Sequence, residues 1–177
     1  RYNKSVFDVV NNNLSTVNEM DVIFCAIGKD SIENYLLQCL ATGLIKKPLV
    51  LMWVEPYLLG AHILYINPFS QFKLQDLEQE GYYQFNIINR DDYKNPAKQL
   101  LLKEAGCQSS YIPYGKEAIV RFFAASVPEL FDIIKDKPKE NIALTFLGDL
   151  DIAKRHNLQI SDFAKHLTSN QIIKKFL

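Results

Sequence analysis

Several things that would each name a function class are scarce in this sequence. Cysteine occurs three times in 177 residues, at Cys25, Cys39 and Cys107. An odd, sparse set argues against the disulfide framework of a small secreted domain and for a reducing compartment. No Cys-x-x-Cys pair exists, so a four-cysteine zinc site cannot be built from this chain alone, and no zinc is expected. Charge of one sign is not in excess, with Lys+Arg and Asp+Glu at 20 each. Without a basic field or a long basic run, neither nucleic acid nor an anionic membrane surface is an expected partner. No apolar stretch is long enough to cross a bilayer, and the opening RYNKSVFDVV has no apolar leader. The expectation is a cytoplasmic protein, and the start at Arg1 reads as the interior of a longer chain. The Gly-x-Gly-x-x-Gly dinucleotide fingerprint is also missing.

What remains is an ordinary globular composition, 48% hydrophobic and 12% aromatic. A chain of this length buries roughly 70% of its unfolded surface, enough for one real core. The patterning places elements along it. Ser5 to Asn18 reads as a weak helix. Asp21 introduces DVIFCAI, a continuous apolar run that suits a strand buried on both faces. Ile32, Tyr35, Leu36, Cys39 and Leu40 then repeat at the spacing of an amphipathic helix. Asp30 stands as its N-cap, with Glu33 in the capping-box position and Gly43 as its left-handed terminator. PLVLMWV (48–54) is a second strand, and strand–helix–strand with tight joints makes a parallel βαβ unit. GAHILYIN (60–67) is a third strand.

Further along, a strand is expected within Tyr82–Ile88. A helix is expected to start at Asn95-Pro96 and run to Ala105. A long helix follows from about Lys116, with Ile119, Phe122, Phe123, Ser126 and Leu130 on one face, and Pro128 should kink or divide it. Asn141–Leu147 reads as a strand, and Ser161 should cap a last short helix ending near Leu167. The fold class implied is α/β, a Rossmann-like sheet with a parallel βαβ core and additional mixed strands.

Three groups of residues could carry chemistry. Gly28, Lys29 and Asp30 form the joint between the first strand and its helix. A helix N-terminus after a parallel strand offers free N–H groups and a positive dipole to a phosphate or Mg-bound nucleotide, and equally serves as a plain structural cap. Cys107 lies in the polar loop CQSSYIPYG, where an exposed thiol could act as a nucleophile. The helix C-terminus expected just before it would instead raise its pKa. Cys25 and Cys39 fall at apolar strand and helix positions and read as core. Glu55 and His62 flank the turn in WVEPYLLGAH, at the carboxyl end of a sheet strand, either in a substrate region or as a loop hydrogen-bond pair. His156 and His166 read as surface.

The segments DVIFCAIGKDSIENYLLQCL and KPLVLMWVEPYLLGAHILYINP together resemble the second half of the ThiF/HesA/MoeB superfamily of activating domains. WVEP…GAH is most similar to the bacterial ubiquitin-activating-like proteins of CBASS antiphage operons, and AGCQSSYIPYG resembles that group's cysteine loop. The resemblance covers roughly Asp21 to Asp136. It implies that residues 1–177 are the C-terminal portion of one activating domain whose intact parent uses ATP and Mg. The parent would adenylate the C-terminus of a ubiquitin-like or target protein and pass it to Cys107 as a thioester. It also implies a conjugating domain as partner and a homodimer. Two departures stand out. The family's glycine-rich ATP loop and its following Arg lie upstream of the matched region, so this stretch alone is expected to bind ATP poorly. The family's Mg-binding Asp falls at Gly28, leaving Asp30 as a substitute. The rival expectation is a non-catalytic scaffold of the same fold used for dimerisation or docking, for which the aromatic cluster Tyr111, Tyr114, Phe122 and Phe123 would suit an interface.

Overall fold

A computed structural model describes residues 5–98, 100–103 and 110–177. The apolar runs become the strands of one five-stranded mixed sheet. In chain order the elements are helices α1 (Val6–Asn12) and α2 (Leu14–Glu19), strand β1 (Ile23–Cys25), helix α3 (Asp30–Ala41), and strands β2 (Leu49–Val54) and β3 (Gly60–Ile66). Two-residue strands β4 (Glu78–Gln79) and β5 (Tyr82–Tyr83) and helix α4 (Arg90–Lys94) come next. They are followed by two-residue strands β6 (Leu102–Lys103) and β7 (Ser110–Tyr111), helix α5 (Lys116–Asp136), strand β8 (Ile142–Leu147), helix α6 (Asp151–Arg155) and strand β9 (Gln171–Phe176).

The sheet order is β1-β2-β3-β8-β9. Only β1 and β2 are parallel, joined through α3, as the βαβ pattern requires; β2–β3, β3–β8 and β8–β9 are antiparallel. The fold is therefore the expected α/β arrangement with a parallel core and mixed additions. The double-sided burial expected of DVIFCAI is not found at β1, an edge strand whose Phe24 is 52% exposed, and it is β2, covered on both faces, that has it. Leu49 and Leu51 pack toward α3, where they meet Leu36, Cys39 and Leu40, and Val50 packs on the opposite face with Phe122, Leu130 and Ile133 of α5. A third cluster (Leu59, Ile87, Ile88, Leu147, Leu158, Ala164) ties the segment before α4 to the region around α6.

The periodic face of α3 is buried as read, with Leu36, Cys39 and Leu40 in the core. Gly43 takes φ +75° just past the helix. The helix start differs. Lys29 is the N-cap and Asp30 the first helical residue, with no side-chain capping bond. With Lys29 as the cap, Glu33 stands at the fourth helical position and not the third, and it is buried. The reason is its place on the helix, since Glu33 shares a face with Leu36, Leu37 and Leu40 at i+3, i+4 and i+7, all four of them buried.

Other expectations are corrected where tertiary partners outweigh local pattern. The weak N-terminal helix is two short ones meeting at Asn13. Within 82–88 only Tyr82–Tyr83 is a strand; Ile88 makes a single antiparallel bridge to Ile160, and the N–H groups of Ile87 and Ile88 bond to the Glu55 carboxylate. Of the helix expected over 95–105, residues 99, 104 and 105 lie outside the described residues, and the described part holds a single 3₁₀ turn at Pro96–Lys98, started by the Asn95 side chain accepting from Ala97 N–H. Beyond it Leu102–Lys103 pairs antiparallel with Ser110–Tyr111. α5 passes through Pro128 as one 21-residue helix. Pro128 lies on its exposed side, where water can take the carbonyl left without a donor, while Phe122, Ser126, Leu130 and Ile133 hold the other side against the sheet. Phe123 does not share that buried face and is 44% exposed. Ser161 starts a run of turns, not a helix; its hydroxyl accepts from Ala164 N–H at 3.3 Å.

Candidate functional site

The parallel pair β1–β2 ends at an open cleft of about 910 Å³. Its floor is the strand-to-helix joint Ala26–Asp30 with Glu33 from the first turn of α3. One wall is the end of β2, from Met52 to Val54, and another is built from Leu74, Glu78, Gly81 and Tyr83. Leu101, Ile112 and Tyr114 close a third side. A crevice outside the carboxyl ends of parallel strands is where open α/β sheets bind ligands. Gly28 takes φ +63°, which turns the chain sharply from β1 into α3 and brings Lys29 and Asp30 onto the floor. All three joint residues read from the sequence thus line one cleft.

Glu33 is the residue that sequence reading placed in the wrong role. It is 5% exposed, and among the described residues its Oε1, itself sealed from solvent, has no hydrogen-bond partner. Burial pushes its pKa up, the nearby Asp30 carboxylate adds to the rise, and the backbone amides of Gly28 and Lys29 pull it part of the way back. The signal was available: a glutamate three and four residues before Leu36 and Leu37 must point inward with them.

Glu55 and His62 meet, but behind the cleft wall. Trp53, His62 and Thr145 are register partners across β2, β3 and β8, so their side chains form one row on the α3 face. His62 is fully buried, and its Nε2 lies 2.9 Å from Glu55 Oε1. Its Nδ1 lies 3.2 Å from the Thr145 hydroxyl, so both ring nitrogens have a partner. The same Glu55 oxygen accepts Ile87 N–H at 2.7 Å, and its other oxygen accepts Ile88 N–H at 2.9 Å and the Tyr93 hydroxyl at 3.0 Å. Four donors thus meet a carboxylate that is 2% exposed. Gly60 makes room for it, since a Cβ there would stand 2.0 Å from Glu55 Oε1. Burial and the neighbouring Glu55 charge push the Tyr93 phenol far up, so it stays a donor. The pair has no spare lone pair or open face with which to act on a substrate. Its effect on the cleft is indirect, because the His62 ring packs against Trp53 at 5.2 Å and edge-on against Tyr83 at 4.8 Å, and both of those line the cleft.

The loop opposite is pinned at the same corner. Tyr57 and Leu58, directly after Glu55-Pro56, hold positive φ of 58° and 53°. Tyr57 N–H donates to Pro113 O, which fixes the chain between Ile112 and Tyr114 at the cleft. Cys107 lies outside the described residues. Cys25 and Cys39 are both buried, as read, and burial pushes the Cys25 thiol up. His156 and His166 are exposed, and the His156 ring stacks on Tyr57 at 3.9 Å. Among the described residues no three His, Cys, Asp or Glu side chains gather to hold a metal ion, and no helix is long and apolar enough to cross a membrane.

No protein-family model and no curated protein matches the chain.

Proposed function

We propose that this chain is part of an ATP-dependent activating enzyme of the ThiF/HesA/MoeB kind. In this reading it serves an enzyme that adenylates the C-terminus of a ubiquitin-like or target protein and passes the acyl group to Cys107. What supports the reading is the cleft at the carboxyl ends of β1 and β2, floored by Gly28, Lys29 and Asp30 at the start of α3. A phosphate-bearing ligand there would meet backbone N–H groups and the positive end of the helix. The Asp30 carboxylate would need Mg between itself and the phosphates, and the rings of Trp53, Tyr83 and Tyr114 offer faces for a base. Activation makes the carbonyl attackable, and a thioester divides one difficult transfer into two easier steps. Leu101 and Ile112, either side of the stretch that contains Cys107, line the same cleft.

The test is the full-length protein with Mg–ATP and its ubiquitin-like substrate, run on non-reducing gels. A thiol-sensitive adduct should form with the unaltered protein and with Cys39→Ala, and vanish with Cys107→Ala. An adduct that survives Cys107→Ala removes the thioester step.

A second reading, a non-catalytic scaffold of the same fold, has its own observation. Val120, Phe123 and Phe131 of α5 are exposed at helical spacing, and Phe24 of edge strand β1 is 52% exposed. Apolar surface of that extent suits a protein interface, including a homodimer. Sedimentation of wild type against Phe131→Glu tests whether this surface assembles, and the ATP-dependent adduct separates the two readings, since a scaffold forms none.

A further inference from the structure

Helix α5 is apolar over more of its circumference than the sheet covers. At about 100° per residue, the charges of Glu117, Arg121, Glu129, Asp132, Lys135 and Asp136 fall within roughly one third of the helix, and apolar side chains hold most of the rest. Phe122, Leu130 and Ile133 pack on the sheet. Beside them runs a second stripe of Val120, Phe123, Val127, Phe131 and Ile134. In it Val120 is 56% and Phe131 66% exposed, and Val127 and Ile134 are half-buried. An apolar arc this wide belongs to a helix covered from two sides, and a row of this kind differs from the single apolar residues scattered on an ordinary surface.

The spacing of the stripe says what covers it. Val127 is its centre. Phe123 and Phe131 stand four positions to either side, and Val120 and Ile134 stand seven. The stripe therefore reads alike in both directions, ring for ring and β-branched residue for β-branched residue. An antiparallel two-fold pair has this property, because residue i meets j while j meets i. The flanking charges agree with that direction. Glu117 and Lys135 are 18 positions apart, about five turns, so they stand on the same flank of the helix. With a second copy antiparallel about Val127, Glu117 comes within two residues of rise, about 3 Å along the axis, of the partner's Lys135. Symmetry makes that pair twice. A parallel pair would set Glu117 beside Glu117 and Lys135 beside Lys135, and it would align the two helix dipoles.

We propose that α5 pairs with α5 of a second copy of this chain, antiparallel, about a two-fold axis through Val127. Phe123 packs on the partner's Phe131, and Val120 on the partner's Ile134. The proposal rests on the outer face of α5 being an assembly surface, and it is independent of adenylation.

Cross-linking tests the register in the full-length protein carrying Cys107→Ser, in which Cys25 and Cys39 are buried. Val120→Cys and Ile134→Cys are made separately, one with a tag that changes its size, then mixed and oxidised. The mixed disulfide should predominate over either like-with-like product, and Val127→Cys, on the axis, should dimerise with itself. Sedimentation of the protein without added cysteines should show a dimer. Glu117→Lys and Lys135→Glu should each weaken it by about tenfold at low salt, and the two together should restore it. Both positions are exposed, and recovery in the double variant shows that neither change acts through misfolding. Like-with-like disulfides alone, or charge changes that leave the dimer untouched, would overturn the antiparallel pairing. A monomer whose added cysteines resist thiol reagents would mean that another part of the same chain covers the stripe, and a monomer whose cysteines react would mean that nothing does; either result overturns the proposal. A dimer without the mixed disulfide sinks this pairing and leaves the scaffold reading standing, while the ATP-dependent adduct decides the enzyme reading separately.

Discussion

Glu33 and Glu55 are both buried carboxylates at the carboxyl end of the β1–β2 pair, and they are opposites. Glu55 receives two backbone N–H groups, an imidazole and a phenol. Glu33 has an oxygen that, among the described residues, receives nothing. Burial is therefore not what separates the two acids; the number of satisfied lone pairs is. Glu55 holds β2, β3 and the 86–93 segment together. Glu33 is held in place by the apolar face of α3, with Oε1 sealed from solvent and without a donor among the described residues.

If that contrast is right, truncating the satisfied acid should cost most. Glu55→Ala strands four buried donors and should destabilise by about 3–5 kcal/mol in urea unfolding, the range for breaking a buried charge network. A loss below about 1 kcal/mol would mean the network is not worth what its geometry implies. Leu36→Ala, one turn along α3 from Glu33, should cost about 2–5 kcal/mol, since Leu36 is 3% exposed and packs on the sheet. A cost near zero there would undo the claim that α3 presents Glu33 from a firmly packed face. Gly60→Ala forces a methyl onto the Glu55 carboxylate and should cost about 1–3 kcal/mol through displaced packing. The Glu55→Ala background should relieve much of it, and two costs that simply add would show that the carboxylate and Gly60 do not meet.

Glu33→Gln is the smallest expected change, within about 1 kcal/mol of neutral and toward stabilising at pH 7. Its pH dependence sharpens the contrast further. The folded-state pKa of Glu33 is raised above its ordinary value of 4.5, so the native state binds the proton more tightly than the unfolded chain. This group's contribution is fully present below pH 4.5 and is lost as pH rises through the raised native pKa. Subtracting the Glu33→Gln stability profile from that of wild type should isolate this fall. A difference that rises with pH would mean that Glu33 is paired in the native state.

Legibility followed the range of the forces involved. β1, α3, β2, β3, α5 and β8 could be read because an apolar run or a helical repeat needs only neighbours within a few turns to declare itself. The helix expected after Asn95-Pro96 failed because strand pairing between 102–103 and 110–111 competes with local propensity and wins. β9 was missed because QIIKKF carries two lysines in six residues, which dilutes a strand pattern. On an edge strand those lysines are tolerated and discourage further pairing. In the site, the Gly28–Asp30 joint was legible from strand–glycine–helix order, whereas Glu33 was mistaken for a capping partner because its spacing from Asp30 fits that motif too.

The sequence by itself determined the βαβ order, the burial of Cys25 and Cys39, the inward face of α3 and the closeness of Glu55 to His62, since all of these follow from short-range periodicity and turn length. Only the tertiary structure decided what the two acids do. Three of the four donors that satisfy Glu55 come from residues 32 to 38 positions away along the chain, at Ile87, Ile88 and Tyr93. The walls around Glu33 come from segments as distant as Tyr114. No local pattern carries that information, because hydrogen-bond satisfaction depends on which groups packing brings within three ångströms.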